Sequence, residues 1–192
     1  MRRLGPADYR DMPWKNGGGV TRELLRLPHP SDPERFLARL SIATVSASGP
    51  FSVFPGVDRT LMLLEGEGVA LTFAGQASEE VKRLEQRWRP LAFPGEAEVH
   101  CRLLGGPVRD FNLMVDRATA QASFEVVALA PGETREIPGG GTVLLHVLEG
   151  RVSVAGAPLA EQETLWGDAP GALALRGDAG AAVVVIHLTR RA

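Results

Sequence analysis

Frequent glycine and proline divide this chain into short apolar segments, and that division constrains its fold more than any other feature. Twenty-two glycines and fourteen prolines occur among 192 residues, which leaves little room for long helices. The apolar segments are rich in Val, Leu and Ile, and several alternate apolar with polar residues between turn signals. The pattern predicts an all-β fold, a mostly antiparallel barrel or sandwich. The segments are residues 36–45, 60–66, 68–75, 90–95, 99–106, 110–115, 123–129, 141–150, 151–156 and 181–188.

One segment fits a helix as well as a strand. In "SEEVKRLEQRW", residues 78–88, Val81, Leu84 and Trp88 fall at helical spacing. The alternation of charged residues there fits a hairpin equally well. A single short helix and a charged hairpin therefore both stay open at this point.

The composition excludes several classes of partner. With 44% apolar and 23% charged residues the chain has an ordinary globular balance, and its net charge of −2 offers no long-range attraction for nucleic acid or anionic lipid. A single cysteine, Cys101, excludes an internal disulfide. The first residues hold two arginines without an apolar stretch after them, and no later segment approaches membrane-spanning length. We expect a cytoplasmic protein with neither nucleic acid nor membrane as partner.

A weak internal repeat lies within the strands. "RTLMLLEGEGVALTFAG", residues 59–75, and "TVLLHVLEGRVSVAGAP", residues 142–158, each contain an apolar run, Leu-Glu-Gly and an alternating strand. Glu65 and Glu149 correspond, and 149 − 65 places them 84 residues apart. A repeated supersecondary unit predicts two similar β modules in tandem.

The hairpins within the repeat, "LLEGEG" and "VLEGRV", resemble the hairpin at the centre of cupin barrels. This resemblance implies a bicupin, two tandem double-stranded β-helix (cupin) barrels with protected strand edges. We place the N-terminal module, with the ligand pocket, at residues 1–118. The C-terminal module, at residues 119–192, is expected to be mainly structural, and a role in homodimer formation stays open.

A metal site is not expected. Metal-binding cupins carry two histidines and a glutamate on the strand before the Glu-Gly hairpin, whereas "FSVFPGVDRTLMLLEG" has no histidine and Arg59 near the position of the glutamate. The four histidines of the chain are spread over a loop and separate strands, and a metal needs several converging ligands. Neither a G-x-S-x-G elbow nor a cysteine–histidine arrangement supports a catalytic nucleophile. We predict no metal, no cofactor and no nucleophile.

A metal-free set of polar residues is the stronger candidate for a site. Asp110 and Asn112 lie two apart in a predicted strand and share a face, and Arg59 shares a face with Leu61 and Leu63. An arginine that continues an apolar face needs a partner, because an unpaired buried charge costs several kcal/mol. That partner is either Asp110, in a salt-bridged barrel rim, or a small anionic ligand. We favour the anion pocket, because apolar barrel mouths with a few convergent polar groups bind ligands.

The stretch "DMPWKNGGGVTREL", residues 11–24, contains one of only two lysines in the chain. An ammonium group is a mobile point donor that a guanidinium does not replace. The glycines beside Lys15 would allow a ligand to approach the backbone and would offer it N–H groups. Trp14 would cover the ligand, although a glycine-rich turn with a packed tryptophan explains the stretch as well.

Three ordered motifs, "PWKNGGGVTREL", "LSIATVSASGPFSVFPGVDRTLMLLEG" and "FPGEAEVHCRLLGGPVRDFNLM", together resemble the HutD/Ves family. The resemblance covers about the first 116 residues, with looser agreement to the C-terminus. It implies a bicupin fold and an association with histidine utilisation through the sensing of a small intermediate. The motif positions that it marks as the ligand pocket are Trp14, Lys15, Asn16, Arg59, Asp110 and Asn112, with Phe54 and Asp58 near it.

Three functions follow as hypotheses. The first is metal-independent binding of a small carboxylate or a formyl or formimino metabolite, for sensing or regulation, with micromolar to millimolar affinity. The second is a small-molecule enzyme, an isomerase or hydrolase, that uses Lys15 and Asp110 for proton transfer. The third is a structural or partner-binding module whose barrels are filled by side chains.

Overall fold

Strands form nearly all of the regular structure. A computed structural model describes residues 1–74 and 80–191, and within that part the only helical segment is one 3-10 turn, Pro6–Asp8. The strands are β1 (Arg2–Leu4), β2 (Arg10–Pro13), β3 (Gly19–Pro28), β4 (Phe36–Val45), β5 (Gly49–Pro50), β6 (Val57–Glu65), β7 (Val69–Phe73), β8 (Glu80–Leu84), β9 (Pro90–Pro94), β10 (Val99–Leu103), β11 (Val108–Asp116), β12 (Ala120–Leu129), β13 (Thr134–Ile137), β14 (Gly141–Val154), β15 (Ala157–Ala160), β16 (Thr164–Ala169) and β17 (Leu173–Arg190). The all-β prediction is confirmed.

The chain divides into two units. The N-terminal unit is Arg10–Thr119, and the C-terminal unit is Met1–Tyr9 together with Ala120–Ala192. The predicted boundary at residue 118 lies one residue from this division, but the first nine residues belong to the other unit. They belong there because β1 pairs antiparallel with β16, which lies far from it in the sequence.

The N-terminal unit contains two antiparallel sheets. One has the strand order β2-β3-β4-β11-β6-β9, and the other has the order β5-β10-β7-β8. Alternate residues of both sheets contribute to one buried apolar cluster, in which Leu61 and Leu63 come from β6, Leu71 from β7 and Cys101 from β10. Burial raises the pKa of the Cys101 thiol to about 12, with a smaller contribution from the charge of Asp110. Cys101 is thus a small buried residue of the apolar core.

The C-terminal unit contains one sheet with the order β1-β16-β14-β17-β12, in which β13 also pairs with β17 and β15 with β14. Its two longest strands, β14 and β17, pair over most of their length. The residues of β14 and β17 that face its interior are buried and apolar, and they include Val143, Leu145, Val147, Val183 and Val185.

The repeated Leu-Glu-Gly has different structures in the two units. In the N-terminal unit it ends β6 and leads into the turn before β7. In the C-terminal unit it lies inside β14, where the pairing with β17 shifts register between Val147 and Glu149 and again between Gly150 and Val152. The same residues therefore form a turn in one unit and a bulged strand in the other.

The ambiguous segment at residues 78–88 is a strand over Glu80–Leu84, followed by a turn. β8 pairs with β7, so the hairpin interpretation is correct there and the helical interpretation is wrong. Residues 78 and 79 lie outside the described residues. Among the residues described, no helix is long and apolar enough to cross a membrane.

Candidate functional site

A cavity of about 500 Å³ lies within the N-terminal unit. Seven of the eight residues predicted to bind a ligand line it: Trp14, Lys15, Asn16, Phe54, Arg59, Asp110 and Asn112. They come from the turn before β3, the segment before β6, and the strands β6 and β11. Whether they bind a ligand stays a prediction, but their convergence on one cavity gives the prediction a defined location.

One wall of the cavity is formed by the adjacent strands β4, β11 and β6, whose register places polar residues in successive rows. From one end of the wall the rows are Arg39, Met114 and Arg59, then Ser41, Asn112 and Leu61, then Ala43, Asp110 and Leu63. The next pair along β4 and β11, Val45 and Val108, belongs to the apolar core. Asp110 is therefore the polar residue of this wall that lies closest to the core.

Arg59 is buried against three aromatic rings. Its guanidinium carbon lies 5.0 Å from the ring centre of Phe93, 5.4 Å from that of Phe51 and 5.6 Å from that of Phe54. The faces of these rings attract the cation and offset part of its lost hydration. Burial lowers the pKa of Arg59 to about 10, the charge of Asp110 raises it, and that of Arg39 lowers it. Arg59 is consequently a charged donor near neutral pH.

Most of the donor capacity of Arg59 has no protein partner. Its Nη1 donates to the carbonyl oxygen of Ser52 at 3.4 Å, while its buried Nε finds no hydrogen-bond acceptor in the described chain. By contrast, Arg39 in the same row donates from Nε to Glu23 Oε2 at 2.6 Å. The charge of Arg39 is therefore paired with a carboxylate, whereas the charge of Arg59 has no ion-pair partner among the described residues.

Asp110 is a buried carboxyl for which the described residues provide no ion-pair partner. Burial raises the pKa of Asp110 to about 7, against the opposing attraction of Arg59. Its Oδ1 atom is buried and has no hydrogen-bond partner within the described residues, and no ion pair joins Asp110 to Arg59 there. The salt-bridged rim that the sequence left open is therefore not formed. Because its pKa is near neutrality, Asp110 can hold or release a proton at physiological pH.

Trp14 is held in place by its own turn. Its indole Nε1 donates to Thr21 Oγ1 at 2.8 Å. Gly19 allows this packing, since an added Cβ would lie 2.4 Å from the carbonyl oxygen of Thr44 and 3.1 Å from the Trp14 ring. The tryptophan is thus a fixed part of the cavity wall.

The glycines of "WKNGGG" do not serve the ligand in the way that the sequence predicts. The N–H of Gly17 donates to the carbonyl oxygen of Trp14 at 3.0 Å, and the N–H of Gly18 donates to Asn16 Oδ1 at 3.0 Å. These two backbone donors are already satisfied, so the expectation that they face a ligand is wrong. Lys15 and Asn16 are exposed and line the cavity, and their side chains carry the ammonium and amide donors of this turn.

Asp58 is the predicted site residue that does not line the cavity. It precedes Arg59 on β6 and therefore points to the opposite face of the strand. Its carboxylate accepts a hydrogen bond from Arg117 Nε at 2.6 Å, and Arg117 also pairs with Glu96. Asp58 belongs to a surface ion-pair network, and its assignment to the pocket is corrected accordingly.

Sequence reasoning missed several residues of the cavity, chiefly Phe51, Arg39 and Ser41, and it missed Phe93, whose ring lies against Arg59. Phe93 lies opposite Arg59 in the β6–β9 ladder, and Ser41 lies opposite Asn112 in the β4–β11 ladder. The alternation in "FLARLSIATV" did mark Arg39 and Ser41 as sharing one face of a strand. The pairing of that strand with β11, which brings the face to the cavity, was not visible in the sequence.

The histidines do not come together with other ligands. His29 follows β3, His100 lies on β10, and His146 and His187 lie on β14 and β17. His146 Nδ1 shares a hydrogen bond of 2.9 Å with Thr164 Oγ1 inside the C-terminal unit. Within the part of the chain that the structure describes, no group of three or more His, Cys, Asp and Glu side chains is placed to hold a metal ion.

Comparisons with known proteins agree over nearly the whole chain. A family model described as HutD matches residues 6–185. An uncharacterised 21.2 kDa protein in the hutC 3′ region of Pseudomonas putida is 38% identical over 155 residues, which cover 81% of this chain and 77% of that protein. Protein Ves of Cronobacter sakazakii is 35% identical over 165 residues, which cover 83% of this chain and 84% of the relative.

Solved structures show the same fold. The structure of HutD from Pseudomonas fluorescens SBW25, in a formate condition, has a TM-score of 0.84 and 34% identity, with 100% of this chain and 99% of that chain covered. The Escherichia coli protein YhhW has a TM-score of 0.73 at 10% identity, with 97% of this chain and 96% of that chain covered. The second likeness shows the cupin fold alone.

Proposed function

The chain belongs to the HutD family, and from that premise we propose that its N-terminal unit binds a small carboxylate metabolite, without a metal ion, to sense or regulate histidine utilisation. The observation that carries the proposal is Arg59, a buried charged donor in a cavity of about 500 Å³, with a buried Nε that has no acceptor in the described chain. The cytoplasmic location expected from the sequence is part of the proposal.

The energetics of Arg59 favour an anionic ligand. A buried guanidinium is costly unless an anion or several acceptors replace its water. The three aromatic rings and the carbonyl oxygen of Ser52 supply part of that compensation. A ligand carboxylate would supply the rest through charge-assisted hydrogen bonds, each worth about 1.5–3 kcal/mol. Two or three such bonds correspond to millimolar to micromolar affinity, the range of a metabolite sensor.

The turn before β3 would complete the binding site. Lys15 adds a second positive charge at the cavity, and it forms no ion pair among the described residues. Its exposed ammonium would attract an anion as it enters, although such an exposed charge contributes modestly and is screened by salt. Trp14, fixed by Thr21, would bound the ligand with an apolar surface.

The link to histidine utilisation rests on relatives. One relative is named for its position in the hutC 3′ region, and a solved relative is named HutD and was determined in a formate condition. Formate is the smallest carboxylate, which fits a site built around a buried arginine. Urocanate, formiminoglutamate, formate and histidine are therefore the first compounds to examine.

Thermal-shift and calorimetric titration of the purified protein with these four compounds tests the proposal. We expect a saturable response to at least one of them, and its loss by ten-fold or more in Arg59→Met, which removes the charge and keeps an extended side chain. Arg135→Met is the matched control, because Arg135 is an exposed arginine paired with Glu125 in the C-terminal unit. The proposal fails if no compound binds, or if Arg59→Met binds as tightly as the wild type.

The second hypothesis, an isomerase or hydrolase, is favoured by one observation. Asp110 lines the cavity and its pKa is about 7, the range in which a carboxyl works as a general acid or base. Lys15 lines the same cavity. Turnover of one of the four compounds, lost in Asp110→Asn and in Lys15→Met while binding persists, would establish this function. Binding without turnover by the wild type would exclude it for these compounds.

A further inference from the structure

We propose, resting on the proposed function, that the cavity takes up one proton together with its anion, and that Asp110 holds that proton. Binding would then weaken as the pH rises, and the protein would respond to acidity as well as to its ligand. The charge balance of the cavity, rather than the identity of the ligand, leads to this coupling.

Two charged side chains of the cavity are buried without an ion-pair partner in the described chain. Arg59 and Asp110 are each 5% exposed, and no ion pair joins them there. The buried Nε of Arg59 and Oδ1 of Asp110 also have no hydrogen-bond partner among the described residues. The charge of Arg39, the other arginine of the wall, is compensated by Glu23. With Asp110 ionised and no anion bound, one buried positive and one buried negative charge balance each other.

A bound carboxylate would disturb this balance. It would add a second negative charge to the single buried positive charge of Arg59, and an excess charge in a poorly hydrated interior is costly. A proton on Asp110 would restore neutrality and remove the repulsion between two carboxylates in one cavity. Lys15 does not replace this proton, because it is exposed and its charge is screened by water and salt.

The proton would also give Asp110 a hydrogen bond to donate. An ionised carboxyl only accepts hydrogen bonds, whereas a protonated carboxyl has one O–H donor. A bound carboxylate offers acceptors alone, and Asn112 Oδ1, two residues along β11, is a buried acceptor without a partner in the described chain. A protonated Asp110 can donate to either of them, and an ionised Asp110 cannot. Anion binding and protonation of Asp110 therefore favour each other.

Among the groups around Asp110, its own carboxyl is the one that titrates near neutral pH. Burial raises the pKa of Asp110 to about 7, whereas the pKa values of Arg59 and Cys101 are about 10 and about 12. No histidine is among the described residues that line the cavity. On β11 itself, the adjacent Arg109 forms an exposed ion pair with Glu65. The charged and titratable groups that face Asp110 from the other elements are Arg59 on β6, Cys101 on β10, the Arg39–Glu23 ion pair on β4 and β3, and Lys15 in the turn before β3.

The sign of the pH dependence follows from linkage. An anion beside Asp110 raises the pKa of its carboxyl further, since a nearby like charge disfavours ionisation. At pH 7 and above, the bound protein therefore holds more protons than the ligand-free protein, and the affinity falls as the pH rises. Below about pH 6, Asp110 is protonated in both states and the affinity should become constant.

Formate and propionate are suitable probes, because both stay singly charged between pH 6 and pH 8. Calorimetric titration of the purified protein should show the affinity for each falling by about five-fold or more from pH 6 to pH 8. At pH 7.5, titrations in phosphate and in Tris buffer, whose ionisation enthalpies differ, should show uptake of about half a proton or more per anion bound. Binding with constant affinity and no proton uptake would overturn this coupling and leave the proposed function standing.

Asp110→Asn identifies the group that takes up the proton. This variant keeps the size of the side chain and cannot ionise, so its affinity for both anions should be the same at pH 6 and pH 8. At pH 8 it should bind them about five-fold or more tightly than the wild type, which must first acquire the proton. Asp58→Asn is the matched control, because this exposed carboxylate lies outside the cavity and should leave the wild-type slope unchanged.

Two outcomes separate this coupling from the proposed function. A pH slope that persists in Asp110→Asn, or failure of formate and propionate to bind while urocanate, formiminoglutamate or histidine binds, would overturn the coupling alone. Binding of none of these compounds would overturn both proposals.

Discussion

Each unit has an antiparallel strand pair at its centre, β6 and β11 in the N-terminal unit and β14 and β17 in the C-terminal unit. The inward-facing side chains of this pair include polar and charged residues in the first unit and are mainly apolar in the second. In the N-terminal unit, β6 and β11 pair Leu63 with Asp110, Leu61 with Asn112 and Arg59 with Met114. In the C-terminal unit, β14 and β17 pair Val147 with Val183, Leu145 with Val185 and Val143 with His187. The 84-residue repeat places Arg59 at the position of Val143, since 59 + 84 = 143. Asp110 and Asn112 then correspond to Val183 and Val185.

Both units contain this ladder of paired strands, so the inner side chains, rather than the fold, decide whether the interior holds a polar cavity or a filled core. Val143, Val183 and Val185 are buried without polar atoms, so their neighbours pack directly against them. Arg59, Asp110 and Asn112 carry polar atoms that apolar neighbours cannot satisfy. The third hypothesis from the sequence, barrels filled by side chains, therefore describes the interior cluster of the C-terminal unit but not the N-terminal unit.

Exchanging the residues at one corresponding position of the two units should have the largest effect on the free energy of unfolding. Val183→Asp places a carboxyl in the filled interior, and we expect it to lower the free energy of unfolding by at least about 4 kcal/mol in urea denaturation at pH 7.5. The reciprocal Asp110→Val should cost less than about 1 kcal/mol or stabilise. If Val183→Asp yields no folded protein, Val183→Thr should still cost about 1–3 kcal/mol. Equal losses in the reciprocal pair would show that the two interiors do not differ in this way.

A second comparison concerns the leucines of the central ladder. Leu145 in the filled interior and Leu61 at the cavity wall correspond by the same repeat. Leu145→Ala should cost about 3–5 kcal/mol, because the dry interior must hold a new void. Leu61→Ala should cost about 2 kcal/mol, since it enlarges a cavity that already exists. Denaturant midpoints with unchanged slopes would measure both, and a larger loss for Leu61→Ala would refute the expectation.

The pH dependence of stability should be specific to the N-terminal unit. The pKa of Asp110 is raised from 3.8 to about 7, so the native state keeps its proton where the unfolded state has lost it. The resulting stabilisation is fully present below pH 3.8 and is lost as the pH rises through about 7. Relative to Asp110→Asn, the wild type should lose about 2–3 kcal/mol between pH 5 and pH 8. Asp58→Asn serves as the control, and a constant difference between wild type and Asp110→Asn would disprove this linkage.

The smallest effect is expected at the cavity wall. Gly19→Ala would bring a methyl group against the carbonyl oxygen of Thr44 and the ring of Trp14. We expect a loss of about 1–2 kcal/mol and a change in tryptophan fluorescence, because the indole must move. Gly49→Ala is the matched control, since no atom lies within 4 Å of its added Cβ. Unchanged fluorescence and stability in Gly19→Ala would show that this contact does not position Trp14.

Several features of the site were predictable because they depend on local rules. Alternation along each strand placed Asp110 and Asn112 on one face of β11, and Arg59 and Leu61 on one face of β6. Both assignments agree with the register. The same rule, applied to Asp58, should have excluded it, because neighbouring residues of a strand point to opposite faces. The family resemblance placed it near the pocket in spite of that rule. Its ion pair with Arg117 shows the correct orientation.

Composition, a two-residue period and ordered motifs were sufficient to predict the all-β class, the tandem repeat, the family and seven of the residues that line the cavity. All of these signals are properties of neighbouring residues. Three features came only from the folded chain: β1 joins the C-terminal unit, Phe51 and Phe93 flank Arg59, and Arg59 and Asp110 form no ion pair. These features depend on which strands become neighbours and on distances between residues far apart in sequence. Such distances are set when the whole unit packs, and they cannot be inferred from the pattern of neighbouring residues.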